Sequence, residues 1–164
     1  MKKIAAVLMT AGCILGFGGM AMAAENDSQT VTYTIPTINE LAVTGTPTLT
    51  IAIPDAGSQP TPVEATANYA ITTNESNKII TAALELGMPD GTALAVTLAA
   101  PGEGQGSQGK VALSTTSQNV VTGISKLADD TNSITYELTA TAEADAATST
   151  TSPSVIFTII DGEV

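Results

Sequence analysis

Residues 65–86 read ATANYAITTNESNKIITAALEL, and the class of fold turns on this stretch. In its first half Ala67, Tyr69 and Ile71 fall on one face of an extended chain. In its second half Ile80, Ala82, Leu84 and Leu86 do the same. A repeat of two residues is the mark of a strand with one face buried, because successive side chains of extended backbone point to opposite sides. Between the halves, Asn74-Glu75-Ser76-Asn77 supplies short polar side chains that bond to nearby backbone and break either periodicity, so a turn is expected there.

The same alternation recurs on both sides of this stretch. Thr30–Ile35 places Val31, Tyr33 and Ile35 on one face before Pro36, and Thr48–Ile53 places Leu49, Ile51 and Ile53 likewise. Downstream come Leu94, Val96 and Leu98 after an Asp90-Gly91 reversal, then Val111–Leu113 and Asn119–Ile124. Ser133–Thr141 runs through Ile134, Tyr136 and Leu138, and Val155, Phe157 and Ile159 close the chain. Residues 54–62 and the four-glycine segment 101–109 read as surface loops, and 127–132 as a polar connection. About eight short strands with turns between them, and no amphipathic helix, predict an all-β fold, an Ig-like or fimbrial-type antiparallel β-sandwich. Tyr33, Tyr69, Tyr136 and Phe157 are expected inside it.

The N-terminus carries a different message. Lys2 and Lys3 precede an uncharged run from Ile4 to Ala24 that ends in Ala21-Met22-Ala23, the pattern of a cleaved export signal over residues 1–23. Two rival readings use the same residues. The run reaches the roughly 20 residues of a membrane anchor, and Cys13 could carry a lipid. Under the signal reading, residues 24–29 form a polar leader, residues 30–164 one domain, and the product belongs in the periplasm, on the cell surface or outside the cell.

Composition then removes most chemistry. The chain has no histidine, one cysteine, and five basic residues against 16 acidic ones, for a net charge of −11. All five basic residues are lysines, and only Lys78, Lys110 and Lys126 lie beyond the signal. Nucleic acid and anionic membrane surfaces are disfavoured partners, because both need a basic patch. Triads, Cys-His pairs and the common zinc sites lack their ligands. Carboxylate chemistry is what is left, and Asp129, Asp130, Glu143, Asp145 and Glu103 sit where solvated charge is the ordinary role. Asp129, Asp130 and Asn132 form the best local set for calcium, without an EF-hand pattern. No enzyme activity and no cofactor are expected, and a carboxylate-dependent hydrolase is the remote alternative.

Val31-Thr32-Tyr33-Thr34-Ile35-Pro36, Thr73-Asn74-Glu75-Ser76-Asn77-Lys78 and Val111-Ala112-Leu113-Ser114-Thr115-Thr116 resemble stretches of the pilin subunits of colonisation-factor fimbriae, which chaperone and usher assemble. The resemblance implies a structural subunit whose extended N-terminal segment completes the sheet of a neighbour. Val31, Tyr33 and Ile35 would then be the donor side chains, and the partner a copy of the same chain. The pattern departs from the family in one respect: the leader Glu25–Gln29 precedes the donor-like strand. The alternative is a surface adhesion or ligand-binding module, with Thr30–Ile35 in its own sheet and the loops at 54–62, 100–109 and 142–153 meeting a host or envelope ligand.

Overall fold

In a computed structural model of the chain, residues 26–102, 105–146 and 153–163 are described. The export-signal reading of residues 1–23, with Cys13, lies outside them. The chain divides into two units, Met1–Thr34 and Ile35–Val164. In the first, residues 26–34 carry no helix or strand, and all of them are exposed.

The second unit is all-β, with two antiparallel sheets and no helix among the described residues. The strands are β1 (Asn39–Thr44), β2 (Val63–Thr73), β3 (Lys78–Leu84), β4 (Thr92–Leu98), β5 (Gly106–Ser107), β6 (Val111–Ala112), β7 (Gln118–Ile124), β8 (Leu127–Ala140) and β9 (Val155–Asp161). One sheet has the order β1-β2-β8-β4-β6 and the other β5-β7-β3-β9. The stretch 65–86 therefore does not fold as a hairpin. Its turn at 74–77 carries the chain from the first sheet to the second.

The core lies between the sheets. Tyr69 and Ile71 from β2, Val96 and Leu98 from β4, and Ile134 and Tyr136 from β8 meet Ile80 and Leu84 from β3 and Val120, Val121 and Ile124 from β7. The alternation that predicted these strands is visible in β8, where Asn132, Ile134 and Tyr136 are buried and Ser133 is not. Burial holds the Tyr69 phenol well above the usual tyrosine range, and the Asp129 carboxylate adds to the shift. The Tyr69 hydroxyl donates to the Ala99 carbonyl.

Several expectations need correction. Thr30–Ile35 forms no strand, and Tyr33 is exposed rather than in the core. Thr48–Ile53 keeps its alternation without a ladder: Leu49 packs partly against the core, while Ile53 is fully exposed. Residues 127–132 are not a connection but the start of β8. β2 runs on to Thr73, and its backbone groups there need partners, which Leu127, Ala128 and Asp129 provide. The polar run fits because the register shifts between Tyr69 and Ile71, so that Asp130 and Thr131 bulge into solvent. Within 101–109, Pro101 is buried, and Gly106 and Ser107 pair with Thr122 and Val121. Leu86 lies past the end of β3 and is exposed.

The Asp90-Gly91 reversal forms as expected. Gly91 has φ +74°, and a Cβ there would stand 2.6 Å from the Ala144 backbone nitrogen, so both the conformation and the close approach require glycine.

Candidate functional site

The two long margins of the sandwich differ in kind. On one side the sheets end in β5 and β6, two residues each. Strands this short leave little backbone for another chain to pair with. On the other side they end in β1, six residues long, and β9, seven residues long, and these two strands approach each other across the sheets.

β9 reads VIFTIID, with no charge before Asp161 and no proline or glycine. It pairs with β3 from Lys78↔Asp161 to Leu84↔Val155, and no strand pairs with its outer edge among the described residues. Val155, Phe157 and Ile159 face the core but are only half-buried, and Ile156 and Ile160 on the other face are exposed. On β1, Leu41 is likewise half-buried and Val43 is exposed. A long, apolar edge with unpaired N–H and C=O groups is a form of edge to which another strand adds readily. β9 meets that description.

Val31, Tyr33 and Ile35 are 76%, 79% and 68% exposed, so their shared apolar face is in water. Burying such a side chain is worth about 1.5–3 kcal/mol, and none of the three has that stabilisation here.

The turn at 73–78 gathers both long edges at one end of the sandwich. The Thr73 hydroxyl donates to Asn39 Oδ1 at 2.7 Å, and Asn39 Nδ2 donates to Glu75 Oε2 at 2.6 Å, which ties down the start of β1. Lys78 is buried and bridges Glu75 at 2.5 Å and Asp161 at the end of β9. The Gly162 N–H donates to the Asn77 carbonyl at 2.7 Å, and a Cβ at Gly162 would meet that oxygen at 2.8 Å, so the approach is close. Lys126 N–H donates to the Glu75 carbonyl and Asn77 N–H to Ser125 Oγ, which brings in the β7–β8 connection. Asn77 sits at φ +57°, a left-handed conformation that asparagine tolerates better than most residues. The sequence marks 74–77 as a turn through its asparagines and serine. What it does not mark is that the turn, through its side chains and its backbone together, reaches three other segments.

The Asn39 amide, and then Lys78, hold the Glu75 carboxyl below the usual carboxylate range. Asp161, and then Glu75, hold the Lys78 ammonium above the usual lysine range. A lowered carboxyl contributes stability that is full above the free value near pH 4.3 and is lost as pH falls through the lowered one. A raised lysine contributes stability that is full below about pH 10.4 and is lost as pH rises through the raised one. Glu75→Gln is therefore expected to lower the melting temperature at neutral pH and to show a smaller further drop between about pH 4 and pH 2 than the parent chain. Circular-dichroism melts across that range measure it. Parallel acid limbs in the two proteins would remove Glu75 as the source.

The other sequence candidates do not converge. Asn132 turns into the core, with its Nδ2 unpaired, while Asp130 faces solvent. Among the described residues no group of three or more His, Cys, Asp or Glu side chains is placed to hold a metal ion. Glu143 and Asp145 lie exposed on the β8–β9 connection, and Glu103 is outside the described residues. No helix among the described residues is long and apolar enough to cross a membrane. No protein-family model and no curated protein matches the chain in sequence.

Proposed function

We infer that the mature chain is an exported structural β-sandwich that joins to copies of itself, with Thr30–Ile35 of one copy adding as a strand to the β9 edge of the next. The observation that carries this is the exposed alternating face of Val31, Tyr33 and Ile35 in a chain that also has a long apolar edge. Lengths agree: at about 3.3 Å per residue, the six residues of the segment span about 20 Å and the seven of β9 about 23 Å. The likeness of residues 31–36, 73–78 and 111–116 to fimbrial pilins supports the same reading. A strand added this way gains main-chain hydrogen bonds along its length and buries alternate side chains.

The test compares the chain from residue 24 with one that begins at residue 37, by sedimentation and by electron microscopy for fibres. The longer chain is expected to associate. The shorter one is expected to stay monomeric and to bind a synthetic peptide of residues 29–37. A longer chain that is a stable monomer, with a shorter one that unfolds, would make the segment an ordinary strand of its own domain and remove the assembly role. A folded shorter chain that ignores the peptide would remove it too.

A further inference from the structure

Asn74 uses its amide as though it were one more residue of β2. The backbone of β2 leaves its sheet after Thr73 to turn toward β3, yet the pairing of this sheet continues past that point. Asn74 Nδ2 donates to the Pro36 carbonyl at 2.8 Å, Ile38 N–H donates to Asn74 Oδ1 at 2.9 Å, and Asn74 N–H donates to the Ile38 carbonyl at 3.2 Å. Pro36 and Ile38 thus present their polar groups to the same side, as alternate residues of an extended chain do. Residues 36–38 are held as a continuation of β1 although they belong to no strand. Pro36 suits the position, since it has no N–H to leave unpaired.

These three residues are the connection that would have to bend if the preceding segment were to fold back. A hairpin of residues 30–35 along the free edge of β1 would need residues 36–38 as its turn, with the chain reversing inside them. It cannot reverse there while all three hydrogen bonds to Asn74 stand. We propose that Asn74 is a positioning residue that keeps residues 36–38 extended and thereby denies Thr30–Ile35 to its own sheet, leaving it for a second copy of the chain. This rests on the assembly reading above and adds to it the device that favours pairing between copies over pairing at home.

The test uses the full mature chain from residue 24. Asn74→Ala removes both side-chain hydrogen bonds. It is expected to raise the concentration for half-assembly at least about tenfold and to produce a monomer whose amides at 31–35 are protected from hydrogen exchange. Asn74→Asp keeps the acceptor for Ile38 and loses the donor to Pro36, so it should fall between the parent and the alanine variant in both readouts. It also serves if the alanine variant fails to fold. Unchanged assembly in both variants would overturn the role of Asn74 and leave the assembly reading standing. Loss of assembly with residues 31–35 still unprotected would also overturn it, since Asn74 would then be supporting the fold alone. A parent chain that is itself monomeric with protected amides at 31–35 would overturn both readings together.

Discussion

Replacing Tyr33 and Ile35 together with aspartate is expected to weaken self-association of the mature chain by a thousandfold or more, while the melting temperature of the monomer stays within about 2 °C of the parent. The asymmetry follows from where the two side chains sit. At 79% and 68% exposure they contribute little to the domain that carries them, and substitutions at such places change stability by about 0.5 kcal/mol or less. In an added strand the same side chains lie against Val155, Phe157 and Ile159. Each then loses about 1.5–3 kcal/mol of apolar burial and brings a carboxylate that must be desolvated or protonated. A total near 4 kcal/mol corresponds to about a thousandfold. Sedimentation velocity reads the association and circular dichroism the melt. Unchanged association would remove these residues from the contact. A markedly lower melting temperature would make them part of their own core.

The second large effect is in the core. Tyr69 is 1% exposed between the sheets, and its hydroxyl is satisfied by the Ala99 carbonyl. Tyr69→Ala removes an aromatic ring from the β2 face that meets β3 and β7, and truncations of buried rings cost about 3–5 kcal/mol. A domain of this size has about 5–15 kcal/mol in total, so the variant should melt on the order of 10–20 °C lower or fail to accumulate. Tyr69→Phe keeps the ring and drops the hydroxyl, so it should cost only about 1 kcal/mol and leave the Ala99 carbonyl without that donor. Urea unfolding of the three proteins measures both terms, provided the slopes agree. A loss below about 1 kcal/mol for the alanine variant would show that the site collapses around the missing ring.

The contrast between Tyr69 and Tyr33 shows what the sequence disclosed. Both stand in runs with an apolar residue at every second position, and by that pattern they are equivalent. Alternation records that an extended chain has an apolar side; it does not record whether a sheet lies beside it. β2 finds β8 and β1 as neighbours, and Tyr69 is buried. Thr30–Ile35 and Thr48–Ile53 have the same pattern and no ladder. The converse holds at 127–132, where Ala128-Asp129-Asp130-Thr131-Asn132 has no apolar alternation and its polarity predicts a connection. Backbone hydrogen bonding to β2 decided otherwise, and a bulge took up the two residues that had no place.

The all-β class was legible because it depends on many alternations at once and survives a few misplaced ones. The role of 73–78 was legible only as a turn. Asn74, Glu75, Asn77 and Lys78 act through partners 36 to 86 residues away in the chain, at Pro36, Ile38, Asn39, Asp161 and Glu163. No local spacing carries that information. The exposure of the β9 edge was equally hidden, since it depends on which strand ends the sheet.

The gathering of β1 and β9 onto one turn also has a mechanical meaning. If a neighbour holds the N-terminal segment and another chain holds the β9 edge, tension enters each domain at residues 36–38 and leaves along β9. A covalent and hydrogen-bonded route between these points runs through Asn74, Glu75, Lys78 and Asp161, across the end of the sandwich. The apolar core lies to one side of that route. Pulled along its axis, β1 strains its hydrogen bonds to β2 together in shear instead of opening them one by one. A fibre of such domains would carry its load through the turn at 73–78, at one end of each sandwich, and through the β1–β2 ladder.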